Sequence, residues 1–455
     1  MALAQFRAEN AWLPHGWEEG VSIDIENGRF VCVGDDVPES ASLGRWVLPG
    51  MANLHSHAFQ RAMAGLAERA SHSEDSFWTW RETMYAFAGR VGPDELRAIA
   101  AQLYVEMLEA GYTQVCEFHY LHHQPGGAPY ADAAAMSLAL IEAARETGIG
   151  LTLLPTLYMT GGFDGRPLGE RQRRFGHTVD AYLALVQRLQ ALQSDRLRVG
   201  VALHSLRAVP ADALRAVLDS GLVDAAPIHI HIAEQIGEVQ DSLALRNARP
   251  VDWLLDHAPV DERWTLVHAT HLSDSEVTRL AQSGAVAGLC PTTEANLGDG
   301  LFPLKAYLDA GGTFGIGSDS HISVSPVEEL RWLEYGQRLI TRHRNIAVTE
   351  TSSSVGETLW GDALFGGAQA AGITHGAIDA SEGDAARADL IVLDDSAPQL
   401  AGRDAEHLLD TFLFAGNRNL VRDVMVAGEW VVRGGRHRDG ERIGKRYAKA
   451  IARLG

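Results

Sequence analysis

A chain of 455 residues with 46% hydrophobic and 22% charged residues has the balance of a soluble folded protein, and it is long enough for a large barrel with an accessory module. Lysines and arginines number 39 against 59 aspartates and glutamates, a formal charge of −20 with no concentrated basic patch, which excludes nucleic acid as a partner. No signal peptide is visible in residues 1–20, the apolar stretch at 149–159 is broken by Thr152, Pro155 and Thr156, and Cys32, Cys116 and Cys290 fit no disulfide or zinc-finger spacing. The expectation is a cytoplasmic protein with reduced thiols and no membrane span.

In chain order, residues 21–25 and 29–33 alternate as strands. Eight short β-branched or apolar runs follow, at 47–54, 114–118, 150–155, 198–203, 228–232, 264–267, 285–289 and 313–317. Helical patterns lie between them. One covers 93–110, opened by Pro93 and Asp94 and stopped by Gly111; others cover 131–147, stopped by Gly148, and 326–343. Strand and helix alternating eight times predict a (β/α)8 TIM barrel, eight being the closing number for parallel strands. The alternative, an open doubly wound sheet, lacks its Gly-x-Gly-x-x-Gly turn after an early strand. Strand patterns return at 390–393 and at 424–432, around the turn Ala427-Gly428. The two ends are expected to form a small β-sandwich domain from 1–47 and 385–455, beside a barrel domain of 48–384.

His55 and His57 stand two apart at the end of the first run, and on a strand that spacing aims both imidazoles at one point. His231 closes the fifth run, His268 the sixth and Asp319 the eighth. All lie at carboxyl ends of strands, the face on which barrels carry their chemistry. The pattern predicts one divalent cation on His55, His57, His231 and Asp319: zinc by donor type, with iron(II) as the next choice. Glu234, three residues beyond His231, is placed as a general acid/base. His229 shares a face with His231 but lies deeper, and reads as a packed core histidine. His119, His122 and His123 read as solvated or supporting residues, and His321 as one that could orient Asp319. Gly315-x-Gly317 reads as a close-packed strand, Cys116 and Cys290 as buried bystanders.

Together, His55-x-His57, His231-x-x-Glu234, His268 and Asp319 resemble the amidohydrolase superfamily along the whole chain. Some members hold two metals bridged by a modified lysine after strand four, where this chain has Ala202-Leu203-His204-Ser205. The resemblance therefore implies the one-metal branch, in which His268 contacts the water rather than the metal. The segments 55–61, 80–81, 117–120, 204–207, 229–234 and 315–321 most closely resemble the members that deiminate N-formimidoyl-L-glutamate in histidine degradation. That implies ammonia and N-formyl-L-glutamate as products, with Glu234, His268 and Asp319 catalytic and Gln60, Arg81, Tyr120, His204 and Arg207 around a small anionic substrate. Two arginines suit a dicarboxylate, because a planar guanidinium grips a carboxylate through two parallel bonds. Related enzymes imply a homodimer. Competing readings are a one-metal deaminase of a heterocycle such as guanine, a two-metal hydrolase of cyclic amides, and a non-catalytic barrel scaffold. An exposed surface ion pair is the plain alternative for each arginine.

Overall fold

The run at 47–54 is two strands, not one. A residue with a Cβ at position 50 would meet the Thr113 Oγ1 at 2.3 Å, so only glycine lets the chain pass there. The strand before it and the strand after it belong to different sheets. The computed structural model describes residues 3–34, 40–69, 77–350, 352–381 and 385–454, with the side chains of 77–79 left out of the description.

The strands are β1 (Ala4–Leu13), β2 (Gly16–Glu26), β3 (Arg29–Gly34), β4 (Ala41–Pro49), β5 (Met51–Ser56), β6 (Tyr112–His119), β7 (Gly150–Leu157), β8 (Leu197–Val199), β9 (Val201–Ser205), β10 (Ile228–Ile232), β11 (Trp264–His268), β12 (Val286–Leu289), β13 (Thr313–Ile316), β14 (Leu390–Leu393), β15 (Val421–Val426), β16 (Glu429–Arg433) and β17 (Arg436–His437). Eight parallel strands run β5-β6-β7-β9-β10-β11-β12-β13. Just past the end of β13, Ser56 and Asp319 form a parallel bridge that draws the last strand to the first. The expected fourth run is broken at Gly200, where a Cβ would lie 2.6 Å from the Pro227 carbonyl oxygen; β8 pairs with β7, off the path of the eight strands. The helix Pro93–Ala110 has the predicted bounds and ends on Gly111 at φ 103°. The other two begin or end within a few residues of expectation, at Ala135–Thr147 and Pro326–Thr341.

Two glycines close the seam between β13 and β5. A Cβ on Gly317 would lie 2.7 Å from the His55 nitrogen, and one on Gly315 would lie 2.4 Å from Leu54 Cδ2. The helix Val355–Ala371 lies over the same seam, so close that a Cβ on Gly366 would stand 2.0 Å from the Phe314 carbonyl oxygen.

The chain ends meet in one eight-stranded sheet, ordered β17-β16-β15-β14-β4-β1-β2-β3, in which only β1 and β4 are parallel. Its central strands alternate. Trp46 and Leu48 of β4, with Ile391 and Leu393 of β14, join the barrel core. Val47, Leu390 and Val392 face a separate core with Ile23, Phe30 and Met425. Between sheet and barrel lies a buried ionic knot. Arg387 Nε donates to Asp389 Oδ1 at 2.9 Å, Nη2 donates to Oδ2 at 2.6 Å, and Nη1 donates to Gln114 Oε1 of β6 at 2.9 Å. His375 Nε2 lies 3.0 Å from Asp389 Oδ2.

Candidate active site

The carboxyl ends of β5, β10, β11 and β13 bring the predicted ligands together. His55 Nε2 lies 3.0 Å from His231 Nε2. Asp319 Oδ1 lies 3.4 Å from His55 Nε2 and 3.3 Å from His57 Nε2. His57 Nδ1–H donates to the Phe118 carbonyl at 2.8 Å, and His231 Nδ1–H to the His204 carbonyl at 3.0 Å. With those protons committed outward, both Nε2 lone pairs face the shared centre. Burial drives the His55 imidazole down to about 3 and also lowers His57 and His231, which keeps all three in the neutral form that ligates. Burial alone would raise the Asp319 carboxyl, but the hydrogen bond from His55 and the electrostatic pull of the imidazoles around it hold it well below the usual carboxylate range. Converging imidazole nitrogens and a carboxylate oxygen, with ligand atoms of His55, His57 and Asp319 all within 4.8 Å of one another, fit a single divalent cation.

Glu234 and His268 flank this centre. His268 Nε2 lies 4.0 Å from Glu234 Oε1 and 3.9 Å from Asp319 Oδ2, and its Nδ1 lies 3.3 Å from Glu294 Oε1. Burial works against charge on His268, but Glu234, Glu294 and Asp319 outweigh it and lift the imidazole to about 10. Burial raises the Glu234 carboxyl to about 7, with Asp319 and Glu238 adding to the rise and His268 and Arg207 opposing it. A carboxyl poised near neutrality beside a cationic imidazole suits proton transfer. Backbone strain collects in the same place: Ala233, His268, Ala269, Asp319 and His321 all have positive φ, between 43° and 69°. Glu238 spans the bend by accepting from the Ala233 and Glu234 amides at 3.2 and 3.4 Å.

A directed hydrogen-bond chain lies behind the ligands. Asn53 Nδ2 donates to Ser318 Oγ at 2.6 Å, so that hydroxyl donates to His321 Nδ1 at 2.9 Å. His321 Nε2–H then donates to Ser56 Oγ at 3.1 Å, and Ser56 donates to Glu117 Oε2 at 2.6 Å. Glu117 Oε1 accepts from the Ala58 amide at 2.7 Å. His321 thus grips the residues beside the ligands, Ser56 and Ser318, rather than Asp319 itself. The backbone completes the clasp: the Asp319 amide donates to the His55 carbonyl at 3.0 Å, and the His57 amide to the Asp319 carbonyl at 3.2 Å. The signal in the sequence for Glu117 was a lone acid within the apolar run Val115-Cys116-Glu117-Phe118, which must find partners when buried.

A cavity of about 570 Å³ opens from this centre, and every residue assigned to the substrate lines it: Gln60, Arg81, Tyr120, His204 and Arg207. Gln60 Nε2 donates to the Tyr120 hydroxyl at 2.9 Å. The Tyr120 ring stands 4.9 Å from His57, and His204 stands 5.1 Å from His231. Arg81 lies over the Tyr85 ring at 5.5 Å. Arg207 has no ion-pair partner within 4 Å among the described residues, and its Nε is buried without a hydrogen bond. Tyr85, Tyr158, Phe175 and Trp80 also line the cavity; loop and helix residues brought in by topology carry no periodicity that would single them out.

Other expectations divide. His229 Nε2–H donates to the Ala370 carbonyl at 2.8 Å, as a core histidine should. His119 and His122 are not solvated: they are 3% and 1% exposed, and His122 and His123 pack around His177 at 4.4 and 4.7 Å. Their sequence neighbourhood is polar, but the loop bearing His177 folds over them. Cys116 and Cys290 are buried and Cys32 is exposed.

Comparison with known proteins gives concordant results. The model of the Amidohydrolase family matches residues 46–431. The chain is 52% identical to the formimidoylglutamate deiminase of Pseudomonas aeruginosa, covering 98% of each. It is 25% identical to the 5-methylthioadenosine/S-adenosylhomocysteine deaminase of Natronomonas pharaonis, covering 90% of this chain and 88% of that one. A crystal structure of an amidohydrolase from Brucella melitensis superposes with a TM-score of 0.92, at 45% identity and covering 99% of each chain. The zinc-bound adenosine deaminase of Xanthomonas campestris shares the fold with a TM-score of 0.80, at 20% identity over 99% of this chain and 98% of that one.

Proposed function

We propose, for a chain that belongs to the Amidohydrolase family, that it is a hydrolase releasing ammonia from N-formimidoyl-L-glutamate and leaving N-formyl-L-glutamate. The observation that carries the reading is the placing of two guanidiniums, Arg81 and Arg207, in the same cavity as Glu234, His268 and Asp319. A protein of net charge −20 that sets two arginines in one substrate cavity is built for an anion, and a neutral purine or pyrimidine needs neither. The 52% identity to a formimidoylglutamate deiminase over nearly the whole chain supports the same substrate.

His55, His57, His231 and Asp319 would hold one divalent cation, for which zinc is the proposed identity and iron(II) the second fit by donor type. When bound, the cation supplies the Lewis acidity that makes water a nucleophile at neutral pH. Arg81 and Arg207 hold the carboxylates, and Gln60, Tyr120 and His204 offer further polar contacts around the formimidoyl group. Glu234 takes a proton from the attacking water and gives it to the terminal nitrogen; the second water proton follows by way of Asp319 as the C–N bond breaks, so that the nitrogen leaves as ammonia and the C–O bond becomes the formyl carbonyl. His268, whose Nε2 faces Glu234 and Asp319, donates to the oxygen on which charge develops.

Incubating the metal-loaded protein with N-formimidoyl-L-glutamate and identifying the products tests this directly. Ammonia and N-formylglutamate are expected; formamide with glutamate, or no turnover, would overturn it. No helix among the described residues is long and apolar enough to cross a membrane, and a cytoplasmic location is part of the proposal, as is a homodimer. Trp332, Leu339 and Ile340, exposed along one helix at 43%, 74% and 66%, support association, and sedimentation of the purified protein decides it.

A further inference from the structure

Resting on that substrate reading, we infer that Tyr85 and Tyr158 form a second anion clamp in the cavity, set by Gln172, that grips the side-chain carboxylate of the substrate through two phenolic O–H donors.

The argument starts at Gln172, on the short 3-10 helix Glu170–Phe175 in the loop after β7. Its Oε1 accepts from the Gly169 amide at 2.9 Å, which fixes which way the amide faces. The Nε2 then points inward and donates to the Tyr158 hydroxyl at 3.0 Å and to the Tyr85 hydroxyl at 3.3 Å. An amide nitrogen has two protons and no lone pair to offer, so both phenol oxygens are acceptors in these bonds. Each phenol keeps its own proton to donate. Neither hydroxyl has another hydrogen-bond partner among the described residues. Both tyrosines are buried, at 8% and 4% exposure, and both line the cavity. Two buried donors without acceptors are costly unless a ligand completes them.

The surroundings specify the ligand as anionic. Arg81 lies over the Tyr85 ring at 5.5 Å, and Arg207 lines the same cavity. Ring contacts order the wall outward from the cation ligands: His231 to His204 at 5.1 Å, then His204 to Tyr158 at 4.3 Å. Tyr158 is therefore two rings away from the reacting end. In the substrate the α-carboxylate is close to the formimidoyl nitrogen and the side-chain carboxylate is far from it, so the outer clamp takes the latter. The loop is held firmly enough for the task. Arg174, 2% exposed, donates from Nη2 to the Val91 carbonyl at 2.9 Å and to the His123 carbonyl at 3.0 Å.

The test measures kcat and KM for ammonia release by the metal-loaded enzyme and by Tyr158→Phe, Tyr85→Phe and Gln172→Leu, with thermal unfolding recorded alongside. Three substrates are compared: N-formimidoyl-L-glutamate, N-formimidoyl-4-aminobutyrate, which keeps only the side-chain carboxylate, and N-formimidoyl-L-norvaline, which keeps only the α-carboxylate. An analogue that does not turn over is scored by its inhibition constant. Loss of a hydroxyl–carboxylate bond predicts KM raised about tenfold or more, with kcat within a few-fold, for the first two substrates. For the norvaline compound, KM or Ki should be unchanged. Unchanged KM for N-formimidoyl-L-glutamate in both tyrosine variants would overturn the clamp. A penalty that follows the norvaline compound instead would overturn the choice of carboxylate, and a penalty matched by a lowered unfolding temperature with kcat lost would show a structural role only. Wild-type turnover, read in the same assay, separates failure of the clamp from failure of the substrate assignment.

Discussion

Glu234 and Glu117 are buried carboxyls of two kinds. Each is lifted to about 7, burial being the main cause, but Glu234 faces the cavity and Glu117 faces only protein donors. Glu234→Gln keeps the shape and removes the proton carrier. Its kcat should fall by roughly 10²–10⁴-fold, with metal content by elemental analysis near the wild-type value. A fully active variant would remove Glu234 from the chemistry. Glu117→Gln replaces an acceptor with an amide, and the bonds from Ser56 and Ala58 can no longer both be kept. Because Ser56 separates His55 from His57, the expected effect is a metal affinity lowered about 10–100-fold, read by chelator competition, with kcat at saturating metal less affected. Equal losses in both would mean that Glu117 does more than hold the ligands in place.

At the scale of elements, close approach decides the geometry. Gly317→Ala would put a Cβ against the His55 backbone. That should cost about 3 kcal/mol by overpacking and weaken metal binding together with stability, because the β5–β13 seam carries His55, His57 and Asp319 on its two sides. Denaturant unfolding with and without added zinc measures both; a variant as stable and as tight as wild type would show that the seam tolerates opening. Here the sequence was informative up to a definite point. The alternation of apolar runs and capped helices located the barrel strands within a few residues, since fully buried strands and glycine stops leave marks in the chain itself. His55, His57, His231, Glu234, His268 and Asp319 could be picked out because each sits at a strand end or in the few residues past one, and the fold converts that position into convergence. The division at Gly50 could not be seen, as the contact that requires it comes from Thr113 on another strand. Tyr85, Tyr158 and Gln172 were invisible for the same reason: they meet only because a helix before β6 and a loop after β7 are folded over one mouth. Of the two roles open to His119 and His122, solvated or supporting, the chain alone could not exclude the first, because what covers them is distant in sequence.

For the molecule as a whole, the contact between outer sheet and barrel rests on charge as well as on apolar packing. Burial opposes ionisation of Asp389, but Arg387 and His375 hold its carboxyl well below the usual range. A carboxyl depressed by folding adds stability above its unfolded pKa of about 4, and that contribution is lost as the pH falls through and below this value. Stability should therefore decline on acidification more steeply in the wild type than in Arg387→Met. At pH 7 the variant, left with a buried carboxylate that has lost its guanidinium and keeps only His375 and the Ala427 amide, should be less stable by about 3 kcal/mol. Chemical unfolding of both proteins at pH 7 and pH 4 gives the comparison, and parallel pH slopes would show that the knot does not govern acid sensitivity. The same junction constrains how the protein comes into being. Pro49 of β4 pairs with Leu390 of β14, so the neighbour that β4 needs leaves the ribosome only after the whole barrel has been synthesised. At about 5–20 residues per second, the nascent chain carries that open strand edge for tens of seconds, and a message truncated before β14 would release a chain whose exposed edge invites pairing with other copies.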